Sequence, residues 1–294
     1  MKAAWWERGD DVVVCGLCPH ACRIPEGKSG YCRARMNRGG ELVAPYLGLW
    51  SAVAVDPMEK KPLYHWRPGT FILSLGSVGC TMRCPFCQNH SIAQPSALSE
   101  PRLSALRPLP ERSLADKCKE LKLVSVAYTY NEPGLQAEYI LSAARPLEEA
   151  GIATVLVSNG MYSENLLGEL LRVTAAANID IKTFNPGTYA RLGGSLETVK
   201  RTVSAFARSR AHVECTTLVV PGISDDREEF AAELDWLAAL CRECGKDIPL
   251  HISRYRPCHK FTAPPTDLEL LGDFARMARE KLAHVHIGNA PGLR

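Results

Sequence analysis

The 294-residue chain is short of the features that would assign a role from composition alone. It has no uninterrupted apolar run of the roughly 18 residues that span a bilayer, so no membrane partner is expected. Trp5 and Trp6, followed by Glu7, Arg8, Gly9, Asp10 and Asp11, do not make the apolar core of a secretory signal. No basic block with interleaved aromatics marks a nucleic-acid footprint, and a net charge of +3 favours no particular partner. Internal repeats are absent, and the one biased stretch is a Pro- and Ser-rich loop at 91–112. These absences leave a cytoplasmic protein as the expectation. At 46% hydrophobic and 23% charged, the chain is long enough for one large α/β domain plus a small appendage.

What the sequence does have is cysteine, twelve in all. In a reducing compartment, thiols at metal-type spacings favour ligation over disulfides. Cys80, Cys84 and Cys87 fall in the run Gly79-Cys80-Thr81-Met82-Arg83-Cys84-Pro85-Phe86-Cys87. Three thiolates on one tight loop can hold three irons of a cubane and leave the fourth open to a substrate or cofactor. That loop points to chemistry at the metal. A separate quartet, Cys15, Cys18, Cys22 and Cys32, suits either zinc or a second iron–sulfur cluster, and its spacing does not choose between them. Cys118 and Cys215 read as structural, and Cys241, Cys244, Cys258 and His259 are read as core or surface side chains rather than a third metal site.

The chain divides near 68–69 into a cysteine- and turn-rich segment, 1–67, and a β/α segment, 68–294. In the first, the apolar stretch 42–55 suggests a hairpin. In the second, strand-length runs at 71–77, 124–129, 153–157, 179–181, 213–219 and 248–252 alternate with helical patterns at 113–121, 135–150, 163–176, 196–209, 227–244 and 267–281. Six such units are too few for a closed eight-stranded barrel and suit a partial (β/α)6 TIM-like barrel. In parallel β/α folds chemistry gathers at the carboxyl ends of the strands. The cysteine loop, Tyr130-Asn131-Glu132-Pro133, Ser158-Asn159-Gly160, Asp180-Ile181-Lys182, Val220-Pro221-Gly222 and His251 all fall at expected strand ends.

The Cys-x3-Cys-x2-Cys loop, with Phe86 just before its last cysteine, resembles the cluster motif of the radical S-adenosylmethionine (SAM) superfamily. Over nearly the whole chain the sequence resembles the pyruvate formate-lyase-activating-enzyme-like radical SAM enzymes of the AmmeMemoRadiSam system. The resemblance includes Cys15-Gly16-Leu17-Cys18-Pro19-His20-Ala21-Cys22, Asp56-Pro57-Met58-Glu59-Lys60-Lys61-Pro62-Leu63 and Ile287-Gly288-Asn289. It implies a [4Fe-4S] cluster on Cys80, Cys84 and Cys87, SAM chelated at the open iron, and an electron donor such as flavodoxin or ferredoxin. Reductive cleavage would give methionine and a 5'-deoxyadenosyl radical that takes hydrogen from a substrate, either a backbone glycine of a protein, as in activases, or another protein group or a small molecule. By the same resemblance Phe86 lies near the adenine, Asn131 and Glu132 meet the SAM amino group, and Ser158 and Asn159 meet the ribose. Lys182 takes the SAM carboxylate with Asp180 positioning it, His251 joins the site with Arg254 beside it, and 56–63 shapes the substrate opening. Val157 stands where glycyl-radical activases carry a cation-holding aspartate, so no bound cation is expected. A non-catalytic iron–sulfur or zinc module is the reading from a different class.

Overall fold

The computed structural model describes residues 3–94 and 105–293, so 95–104 of the Pro- and Ser-rich stretch lies outside the described residues. The N-terminal segment forms an antiparallel sheet of β1 (Trp6–Arg8), β2 (Val12–Cys15) and β3 (Arg23–Pro25), then a hairpin of β4 (Met36–Arg38) and β5 (Glu41–Val43). The remaining strands are β6 (Leu49–Trp50), β7 (Ala52–Pro57), β8 (Phe71–Gly76), β9 (Arg107–Pro108), β10 (Ser125–Tyr128), β11 (Ala153–Ser158), β12 (Ala176–Ile181), β13 (His212–Val219), β14 (Leu250–Arg254) and β15 (Val285–Gly288).

Eight of them make one sheet in the order β15-β14-β13-β12-β11-β10-β8-β7. From β8 through β15 every pairing is parallel, and β7 closes one edge antiparallel to β8. This is the partial barrel expected, with two corrections. A seventh parallel strand, β15, was not anticipated, because Val285-His286-Ile287-Gly288 is short and half polar. The stretch 42–55 is not a hairpin of its own: β5 pairs with β4, while β7 crosses the 68–69 division to pair with β8.

Two-residue periodicity decides what each strand shows to either face. Leu73, Leu75, Val126, Tyr128, Leu156, Ala177, Ile179, Val213 and Cys215 point outward into the main core beneath the helices. Their alternates, Ile72, Ala127, Val155 and Ala176, point inward, where Met58, Leu63 and Trp66 plug the amino end of the barrel. The same alternation turns Asn178, Asp180, Glu214 and Thr216 to the interior. Side chains at the N-termini hold the helices in place: Ser163 caps Glu164–Val173, Ser195 caps Leu196–Arg208, and Asp226 and Asp267 cap the last two long helices.

Above the plug, the interior is polar and bonded. Glu214 is fully buried and accepts from the Tyr64 and His65 N–H groups and from the imidazoles of His212 and His251. Burial alone would raise its pKa; these partners bring it down to about 2, so it stays ionised and ties the plug to β13. No helix among the described residues is long and apolar enough to cross a membrane.

Candidate active site

A cavity of about 440 Å³ opens at the carboxyl ends of the parallel strands, and Cys80, Cys84 and Cys87 all line it. The turn after β8 carries them there. Gly79 sits at φ +93°, and a Cβ at that position would come within 2.5 Å of the Cys32 carbonyl oxygen. The cysteine loop is therefore pressed directly against the N-terminal module. His20 Nε2 lies 2.8 Å from the Thr81 carbonyl, and the Arg83 guanidinium both stacks over the Tyr31 ring and donates to the Tyr31 carbonyl. Buried Arg35 extends this junction through a two-pronged ion pair to Glu138, at 2.6 and 2.7 Å.

None of the twelve cysteines forms a disulfide. Burial pushes the Cys84 thiol up to about 11 and raises Cys80 and Cys87 as well. Such thiols stay protonated near neutral pH until a metal displaces the proton. Two donors face the Cys80 sulfur: the Met82 N–H at 3.4 Å and Asn159 Nδ2 at 3.5 Å.

Glu132 lines the same cavity, yet its carboxylate is already engaged. It accepts from the Gly134 and Asn159 N–H groups and from Ser158 Oγ at 2.9 to 3.1 Å. Burial dominates, lifting its pKa to about 7 despite those donors. Glu132 and Ser158 thus strap the ends of β10 and β11 together. Asn131 bonds back to the cysteine loop through Ser77 N–H and the Gly79 carbonyl. Asn159, expected at a ribose, also bonds with Thr81 Oγ1 and so braces that loop. Asp180 and Lys182 do pair on one face at 2.7 Å. Burial disfavours charge on Lys182, but the Asp180 carboxylate outweighs it and the pKa is raised. Phe86 is buried against the cavity wall and meets Phe261 edge-on.

His251, expected in the site, lies apart from the other candidates. It stands second in β14, beside Thr216 and His286, and binds Glu214 within the plug at 2.6 Å; it does not line the cavity. The expected strand ended two residues early, and Ser253, on the same face one period later, takes the place at the rim. Arg254 likewise turns away, donating to the Thr266 carbonyl.

Residues 75–237 match the family model of the radical SAM superfamily, more than half of the chain. The chain belongs to that superfamily. A relative in Methanocaldococcus jannaschii, an uncharacterised protein, is 34% identical over 99% of this chain and 86% of its own length. Among solved structures, SuiB of Streptococcus suis bound to S-adenosylmethionine aligns with a TM-score of 0.54 and 15% identity, over 76% of this chain and 52% of SuiB. QueE of Escherichia coli aligns with a TM-score of 0.52 and 12% identity, over 83% of this chain and 94% of that one. At those identities the structural likeness concerns the fold.

Radical SAM enzymes generally use a [4Fe-4S] cluster to cleave SAM, and the residues here fit that pair. Three thiols share one wall of a single cavity, N–H donors face a sulfur, and the Asp180–Lys182 pair offers both signs of charge to an amino acid's ammonium and carboxylate. Cys15, Cys18, Cys22 and Cys32 also lie near enough to perturb one another electrostatically. Among the described residues, neither cysteine set is drawn into the geometry of a single-ion site. Three further residues line the cavity to which the sequence reasoning gave no role, Tyr130, Ser253 and Asn289, although Tyr130 and Asn289 stood within the motifs it marked. Tyr130, at φ +69°, gave no local signal; the other two follow from strand periodicity once β14 and β15 are placed.

Proposed function

We propose that this radical SAM protein cleaves SAM reductively at a cluster held by Cys80, Cys84 and Cys87 and directs the resulting radical at a small-molecule substrate. The observation that carries the reading is the convergence of the three thiols, Asp180, Lys182 and Asn159 on one cavity. When bound, the cluster and SAM supply the electron and the 5'-deoxyadenosyl group. The protein's own residues hold them: Asp180 and Lys182 the amino-acid end, Phe86 the base, and Asn159 the Cys80 sulfur by an N–H donor. A cavity of about 440 Å³ is of ordinary small-ligand size, which suits a compact substrate. A flavodoxin- or ferredoxin-type protein in the cytoplasm would supply the electron, and the quartet would hold zinc or a second cluster that braces the cysteine loop from the N-terminal side.

Anaerobic reconstitution with iron and sulfide, followed by SAM and a strong reductant, should release 5'-deoxyadenosine and methionine. Cluster-loaded protein that neither binds nor cleaves SAM would leave the binding-module reading in its place. Iron, zinc and sulfide counts on wild type and on Cys15→Ser with Cys18→Ser identify the quartet's metal. Activation of a partner protein at a backbone glycine is the second reading, favoured by the sheet edges that β7 and β15 present among the described residues. A protein-centred radical seen by electron paramagnetic resonance after mixing with a glycyl-radical enzyme would move the assignment to it.

A further inference from the structure

The cavity has a lysine floor, Lys60 and Lys61, to which the reading above gives no part in holding the cluster or SAM. After β7 the chain turns inward through Met58–Lys60, bringing Lys60 and Lys61 into the cavity that the cysteines line from the other end of the strands. One carboxylate serves both ammonium groups: Asp56 Oδ1 lies 3.0 Å from Lys60 Nζ, and Oδ2 lies 2.8 Å from Lys61 Nζ. The Tyr130 hydroxyl donates to the same Oδ2 at 2.5 Å, and its ring lies under the Lys61 ammonium, 4.5 Å from centroid to nitrogen.

The two lysines are held differently. The Lys61 side chain is 2% exposed and the Lys60 side chain 70%. The Lys60 ammonium is open to solvent while Asp56 is 6% exposed, so Lys60 can turn from Asp56 to another anion without giving up its own hydration. When it does, Asp56 keeps Lys61 and the Tyr130 hydroxyl, and no buried charge is stranded. The other charges lining the cavity have their own partners: Asp180 and Lys182 pair with each other and serve the amino-acid end of SAM on the reading above, and Glu132 is bonded by Ser158 and two backbone donors. One positive charge at the floor is thus free to meet a ligand.

We propose that Lys60, backed by the Lys61–Asp56–Tyr130 cluster, binds an anionic group of the substrate, a carboxylate or a phosphate, and so orients the substrate toward the cluster end of the cavity. This rests on the substrate reading above and goes beyond it in naming the chemistry recognised. Asp56 sets the register, since it keeps Lys61 fixed while Lys60 moves between Asp56 and the ligand. Tyr130, held at positive φ between the cysteine loop and the floor, carries the connection: its carbonyl accepts from Asn89 Nδ2 at 2.7 Å while its hydroxyl reaches Asp56.

The test uses the reconstituted holoenzyme with its cluster reduced and with methionine and 5'-deoxyadenosine filling the cofactor's own subsites. Inorganic phosphate and 13C-acetate serve as probes. Nuclear relaxation of each probe is enhanced only when it resides near the paramagnetic cluster. Enhancement of phosphate alone assigns a phosphorylated substrate, of acetate alone a carboxylate, and of both an unselective anion site; each supports the proposal if Lys60→Glu weakens it at least tenfold while Lys60→Arg retains it. The exposed control Lys119→Glu, on the helix Glu111–Glu120 away from the cavity, should leave it intact. No enhancement in wild type, or enhancement that survives Lys60→Glu, overturns the proposal. Release of 5'-deoxyadenosine from the same wild-type preparation separates the two claims: release without probe enhancement removes the anion site alone, and enhancement without release upholds the site while removing the radical reading.

Discussion

Replacing Gly79 by alanine tests the physical junction between the two cysteine sets. At φ +93° an L-residue is strained by roughly 1–2 kcal/mol. The new Cβ would also stand 2.5 Å from the Cys32 carbonyl oxygen and 2.9 Å from the Ala34 Cβ, closer than real contacts allow. The first neighbour is backbone, so relief requires the N-terminal module to move, at about 1–3 kcal/mol for overpacking of this kind. The expected loss is therefore about 2–5 kcal/mol, a large part of the stability usual for a domain. Gly151→Ala isolates the contact, because Gly151 has φ +71° and an added Cβ there would meet nothing within 4 Å, leaving about 1–2 kcal/mol of strain alone. Urea unfolding followed by tryptophan fluorescence gives both values from the shift in midpoint at unchanged slope. Iron retained after reconstitution should fall in Gly79→Ala and not in Gly151→Ala. Equal destabilisation of the two variants, or a loss below about 0.5 kcal/mol at Gly79, would refute the idea that the cysteine loop is pinned by the module behind it.

Three further outcomes follow from buried groups. Glu138→Ala strands the guanidinium of Arg35, whose side chain is 0% exposed, and should cost about 3–5 kcal/mol in chemical denaturation, with the double variant Arg35→Met, Glu138→Leu recovering most of it. Glu233 is buried with Thr217 as its hydrogen-bond donor, and burial raises its pKa to about 8 from 4.5. The folded state then holds a proton that the unfolded state releases, so stability should fall as pH rises from about 4.5 to 8, by up to about 5 kcal/mol, and Glu233→Gln should flatten that decline; a slope unchanged in the variant would contradict it. Asn159→Ala removes an N–H donor from the Cys80 sulfur, so the cluster's midpoint potential should become more negative in a redox titration read by electron paramagnetic resonance. An unshifted potential would show that this contact does not tune the cluster.

The cysteine triad on one loop and most of the β/α order were readable from the chain alone, because both are local. A Cys-x3-Cys-x2-Cys spacing fits one short loop whatever surrounds it, and apolar runs of strand length declare themselves without knowledge of their neighbours. The helix at Arg227–Cys244 was legible to the residue, since Asp226 starts it and Gly245, in a left-handed conformation, stops it. Tertiary structure decided what depends on register and on distant partners. His251 and Ser253 lie on the same face of β14, and only the pairing of β14 with β13 and β15 shows that one belongs to the plug and the other to the rim. Glu132 and Asn159 carried the right chemistry for a cofactor, but their partners, Ser158 and Cys80, come from other loops, and hydrogen bonding across loops leaves no periodic trace. The lysine floor was visible as a charged run; that Asp56 shares its two oxygens between Lys60, Lys61 and Tyr130, leaving one charge in hand, is a property of the folded barrel alone.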